Sequence, residues 1–122
     1  GDVPVKYFTK GEWPEGVKKI DGEAMSKTIY HKQYACYRCL VACGREVKVT
    51  SGKYAGLAGA GPEYETCAAF GLLCMNDDLG AIAKANDLCN RYGLDTISTG
   101  NIIAFAMECS ETGLIGTGEL GF

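Results

Sequence analysis

Three thiols stand close together in the run Tyr34-Ala-Cys-Tyr-Arg-Cys-Leu-Val-Ala-Cys-Gly44: Cys36, Cys39 and Cys43, spaced C-x2-C-x3-C. Residues at that pitch can turn inward along little more than two turns of a tight coil or helix. Three sulfurs so placed suit one face of an iron–sulfur cube, which needs a fourth ligand from elsewhere. Soft thiolates also take zinc or copper(I), so the residue types narrow the metal without settling it. The plainer alternative is three small side chains buried in a core. His31, five residues before Cys36, could complete a Cys3His zinc site or sit at the surface on a helix end.

Two further stretches carry polar groups in suggestive places. Asn90-Arg-Tyr-Gly-Leu-Asp-Thr96 reads as a helix end, a tight glycine turn and a new helix start. Such a loop offers free backbone N–H groups and a carboxylate at one spot. A carboxylate matches a pair of parallel donors, as on the edge of a pterin or guanine. Gly93 as a C-cap and Asp95 as the next N-cap account for the same residues structurally. In Gly61-Pro-Glu-Tyr-Glu-Thr66, acidic side chains in a first turn complement the helix dipole. Alternatively one of them points into a cleft as a proton acceptor or metal-shell group. Glu63 and Glu65 are two apart and face different sides, so only one can do so comfortably.

The elements that must hold these residues are mostly helical. A short helix is expected from about Gly22 to Tyr30, N-capped by Asp21. Glu46-Val-Lys-Val-Thr50 alternates like a strand, and Ser51-Gly52 begins a turn back into Lys53-Tyr54-Ala55. Helices follow from Pro62 to about Cys74, from a cap at Asn76, Asp77 or Asp78 to Gly93, and from Asp95 or Thr96 to near Gly113. Residues 1–20, punctuated by Pro4, Gly11, Pro14 and Gly16, read as extended chain or loop anchored by Phe8 and Trp13. The expected fold is mainly α, with about five helices and one small β-hairpin, as a single domain over residues 1–122.

Composition excludes several classes. The chain is 47% apolar and 22% charged over 122 residues, an ordinary globular balance. A net charge of −3 with no basic stripe argues against nucleic acid. With no run of eighteen apolar residues and no signal-peptide pattern, no membrane role is expected, and a cytoplasmic location is. Of the seven cysteines, Cys67, Cys74, Cys89 and Cys109 sit singly among apolar residues. They look like buried thiols of a reducing compartment and not halves of a disulfide scaffold. Neither Gly1 nor Phe122 reads as a natural terminus, so a piece of something longer is expected.

Together the three stretches resemble the tungsten-containing aldehyde ferredoxin oxidoreductase family, in family order, from the cysteine run to about residue 115. The resemblance implies that Cys36, Cys39 and Cys43 are three ligands of a [4Fe–4S] cluster, the fourth lying beyond Phe122. It makes Asn90, Gly93, Leu94 and Asp95 similar to the first of two pterin-binding loops, D-x-x-G-L-(C/D), with Asn90 where the family has Asp. Glu65, ahead of Glu63, is similar to the family's acidic residue near the metal. The implied activity is oxidation of aldehydes to carboxylic acids by a tungsten (or molybdenum) bis-pterin, electrons leaving through the cluster to ferredoxin. The remaining domains of a parent chain would then be this piece's partners, and the isolated piece is expected to be inactive, with either cofactor absent. Two other readings stand beside it: a relative acting on an aromatic thioester, and a non-catalytic zinc or single-cluster module for scaffolding or electron transfer. Replacing His31 with Ala separates the module from the enzyme. Metal content of the purified protein should be unchanged if thiolates hold an iron–sulfur cluster, and should drop if His31 is a zinc ligand.

Overall fold

Asp21 ends one helix and starts the next. Its backbone N–H donates to Val17 O (2.8 Å), closing α1 (Pro14–Ile20), while its carboxylate accepts from Ala24 N (2.8 Å), opening α2 (Gly22–Thr28). The computed structural model describes residues 3–120, so Gly1 and Phe122, on which the reading of the termini rests, lie outside it. α1 corrects the expectation of loop through residue 20. Pro14 sits in its first turn with Glu15, and Lys18 and Lys19 occupy the last turn, an arrangement that complements the helix dipole. Trp13 does anchor this segment: a Cβ on Gly16 would lie 2.3 Å from its ring, so glycine lets the indole close over the helix. Phe8 is no anchor, being 62% exposed. Val5 takes that role, buried at 2%, with Lys6 N and Tyr7 N donating to Leu72 O and Leu73 O.

The sheet is larger than the expected hairpin. Its three antiparallel strands run β1 (Tyr30–Tyr34), β2 (Gly44–Lys48), β3 (Ala58–Ala60), in that order. Tyr30 pairs with Val47 and Tyr34 with Gly44, and Val47 in turn pairs with Gly59. The strand expected near Val47 is therefore present, and the turn after Ser51 does return the chain. The return strand begins at Ala58, after left-handed Gly52 and Gly56 have widened the loop. β1 is exposed along its whole length, so it carries no apolar alternation by which a sequence reading could find it.

Past Pro62 the chain is helical. α3 (Tyr64–Cys67) runs without a break into a π-helical segment, Ala68–Leu73, with Ala69, Phe70, Gly71, Leu72 and Leu73 all buried. α4 (Leu79–Tyr92) is capped by Asp78, whose carboxylate accepts from Gly80 N (2.8 Å) and Ala81 N (3.1 Å). It turns Leu79, Ile82, Ala83, Asn86 and Cys89 inward at helical spacing, and Ile82 is fully buried. α5 (Thr96–Glu111) buries only Gly100 and Ala104. The described residues thus hold five α-helices and one small sheet, a mainly helical fold.

α5 lies hard against the π-helical segment. A Cβ on Gly100 would sit 2.6 Å from Ala69 Cβ and 2.9 Å from its carbonyl carbon. Gly100→Ala should therefore lower stability by about 1–3 kcal/mol through overpacking, although alanine is the better helix former. Gly22→Ala, where the added Cβ meets nothing within 4 Å, serves as control and should leave the urea midpoint unchanged or raised. Equal midpoints for the two variants would show that α5 is free to lift from its neighbour.

Candidate cofactor site

The first residues of β2 join two of the three chemical motifs. Gly44 and Arg45 follow Cys43 directly. Arg45 O accepts from Gly61 N (2.6 Å), and its guanidinium Nη2 lies 3.0 Å from Glu63 Oε2. Gly61 has to be glycine: a Cβ there would approach Val47 Cγ1 to 2.7 Å and Arg45 O to 2.9 Å. Three residues beyond Glu63, Thr66 is 3% exposed and its hydroxyl hydrogen-bonds that of Thr96 at 2.8 Å. Thr96 is the first residue of α5, directly after Asp95. A single path of contacts therefore runs from Cys43 through Arg45, Glu63 and Thr66 to Thr96 and Asp95. Buried Asn86 braces it, donating to Ala60 O at 2.9 Å.

The two acidic candidates differ in setting. Glu63 stands at the N-cap of α3 without capping it and is held by Arg45. Glu65, in the first turn, is exposed and has no ion pair among the described residues. Arg45 Nε is buried without a hydrogen-bond partner among the described residues. Its side chain borders a cavity of about 220 Å³ walled by Ile20, Met25, Tyr64, Cys67 and Leu72.

Cys36, Cys39 and Cys43 lie on the loop joining β1 to β2, not on a helix. Left-handed Arg38 and Ala42 shape that loop, Cys39 N donates to Cys36 O (3.0 Å), and the Gln33 side chain holds Ala42 O. Cys36 and Cys43 are exposed and Cys39 half-buried. The spacing led to the expectation of converging sulfurs, but no three His, Cys, Asp or Glu side chains among the described residues are gathered to hold a metal ion. Two of the three thiols belong to exposed residues. Their chemistry nonetheless suits thiolate ligands: the N–H groups of Ala42 and Val41 beside Cys39 hold its thiol below the ordinary value. His31 is exposed on β1, on a strand and not at a helix end.

The loop from Asn90 to Asp95 forms as its residues suggest. Gly93 is left-handed (φ 68°); Gly93 N donates to Cys89 O, and Leu94 N donates to the same oxygen at 2.9 Å, the six-to-one closure of a helix C-terminus. Asp95 caps α5, accepting from Ser98 N at 2.7 Å, and this bond with the Ser98 hydroxyl lowers its pKa. Asn90, Gly93, Leu94 and Asp95 are all exposed, and Asn90 borders a cavity of about 130 Å³ beside Val47, Gly59 and Ala83. The single cysteines behave differently: burial pushes the Cys67 and Cys74 thiols up to about 11, and Cys89 is buried. Sequence reasoning missed Arg45, Thr66 and Thr96, since an arginine opening a strand and two threonines thirty residues apart carry no local signal.

Comparison with known proteins identifies the lineage. The family model described as aldehyde ferredoxin oxidoreductase, domains 2 and 3, matches residues 1–122. The chain belongs to the aldehyde ferredoxin oxidoreductase family. It is 41% identical over 122 residues to the tungsten-containing aldehyde ferredoxin oxidoreductase of Pyrococcus furiosus, covering 99% of this chain. It is 38% identical over 121 residues to the protein of that name from Thermococcus kodakarensis. A Pyrococcus furiosus protein named aliphatic sulfonate oxidoreductase, WOR-like subunit, is 33% identical over 80% of this chain. The chain spans 19% of the length of the first two relatives and 16% of the third.

The Asp95 cap sets a pH dependence. A depressed folded pKa means the ionised carboxylate stabilises fully above the unfolded value of about 3.9 and that the contribution fades as pH falls through the lower folded value. The thermal midpoint of Asp95→Ala should therefore lie below that of the unaltered protein at neutral pH, with the gap narrowing below about pH 4. A gap independent of pH would mean that the charge plays no part in the cap.

Proposed function

We propose that this chain is one domain of a longer tungsten- or molybdenum-pterin oxidoreductase that converts aldehydes to carboxylic acids and passes the electrons through a [4Fe–4S] cluster to ferredoxin. The observation that carries the reading is the path from Cys43 through Arg45–Glu63 and Thr66–Thr96 to Asp95, which links the segments that carry the thiols, the carboxylates and the exposed loop. Oxidising an aldehyde with water releases two electrons and two protons. When bound, the metal and its pterins would accept the electron pair and the cluster would carry it away.

The chain's own residues do the holding and the proton work. Cys36, Cys39 and Cys43 would bind the cluster, with the fourth ligand from outside residues 1–122. Donor bonds to the Cys39 sulfur favour its thiolate, the form that binds iron. Asn90 and Asp95 would accept hydrogen bonds from a pterin edge, while the turn at Gly93 and Leu94 lets the ring approach the backbone. Asp95 caps α5 with one oxygen, Oδ2. Glu65, unpaired among the described residues, would take the proton from water or the hydrated aldehyde. Arg45 holds Glu63, so the two carboxylates have separate tasks. In this reading residues 1–122 by themselves would leave the cluster without its fourth ligand and would be inactive.

Metal analysis of the full gene product tests this. About four iron atoms and one tungsten or molybdenum are expected per chain. Cys39→Ser should remove most of the iron and its visible absorption while leaving the heavier metal in place. Asp95→Ala should do the reverse. One zinc per chain, with neither iron nor tungsten, would leave the non-catalytic module as the correct reading.

A further inference from the structure

α5 is built the wrong way round for a surface helix. It buries its smallest residues, Gly100 and Ala104, and leaves Ile102 66%, Phe105 51%, Ile97 43% and Ile103 43% exposed. At 100° per residue Ile102 lies opposite the buried stripe and Ile97 and Ile103 lie on its two flanks, while Phe105 lies between the flank and the outer face with one side of its ring against Tyr7, 5.5 Å between centroids. A surface helix ordinarily turns its large apolar residues inward and a charged face outward. Large apolar side chains left open on several sides of one helix mark a surface that something else covers.

We infer that the outward face of α5 is covered by a further apolar layer of the same polypeptide, contributed from outside residues 1–122. Relatives of which this chain matches only 19% have ample chain to supply one. The distribution of the exposed side chains favours that occupant over a second copy, because a two-fold contact between helices covers one stripe and here both flanks are open as well. Charge disfavours a lipid surface. No Lys or Arg occurs from Tyr92 to Phe122, whereas Asp95, Glu108 and Glu111 do, and helices that lie on anionic membranes carry basic polar faces. The inference rests on the longer chain of the proposed function but on neither of its cofactors.

Photo-crosslinking of the full gene product tests it, with benzoylphenylalanine in place of Phe105, a change of one aromatic for a larger one, and separately of Ile102. Lys53, exposed and polar, is the control position. Cross-links from 105 and 102 should join residues outside 1–122 within one chain, at yields severalfold above position 53 and unaffected by tenfold dilution. Cross-links that double the mass and fade on dilution would assign the face to a second copy and overturn the inference. Labelled lipid, or yields no higher than at position 53, would overturn it too. Iron and tungsten assayed on the same preparations judge the cofactor reading separately. Should the Ile102 variant fail to accumulate, the Phe105 variant decides alone.

Discussion

The ion pair between Arg45 and Glu63 is the interaction on which the arrangement of the candidate site depends. It joins the first turn of a helix to the first residues of a strand, and the Gly61–Arg45 backbone bond beside it fixes their spacing. The pair is partly exposed, 28% and 50% at the two side chains, and such a pair contributes little net stability. Its value is positional. The backbone bond and the absence of a side chain at Gly61 set the approach, and the charges select the orientation of Glu63.

A second constraint comes from the helices. The π-helical segment brings five consecutive buried residues against α4, α5 and the N-terminal segment at once. Widened helical turns of this kind recur at functional sites, and here the segment directly follows the acidic motif. The Thr66 hydroxyl bond to Thr96 ties α5 to α3, and the close seat of Gly100 on Ala69 ties it to the π-helical segment.

What the sequence made legible follows from how local each signal was. Asp78 and Asp95 as caps, Gly93 as a helix stop and the inward stripe of α4 depend on residues within one or two turns, and all were readable. α1 was hidden because Pro14 and Gly16 suggest breaks; proline fits a first turn, and Gly16 is small to admit Trp13. β1 was hidden because an edge strand exposed on both faces has no alternation to show. The site divides the same way. The thiol, carboxylate and loop motifs stood out by residue type and spacing, whereas the bonds that bring them together span eighteen residues from Arg45 to Glu63 and thirty from Thr66 to Thr96. The exposure of Cys36 and Cys43 was not legible either, because the loop's bonds, Cys39 N to Cys36 O and the Gln33 side chain to Ala42 O, carry no sequence pattern.

Five of the seven thiols contrast sharply. Burial keeps Cys67 and Cys74 protonated at any neutral pH, and a protonated sulfur is a poor nucleophile toward peroxide or oxygen. Cys36 and Cys43 stand in solvent, and Cys39 between them is biased toward the thiolate. Exposure to air would therefore oxidise the loop between β1 and β2 first, while the buried thiols and the packing around them stay chemically intact. Such a protein would lose the chemistry of its surface loop long before it lost its shape.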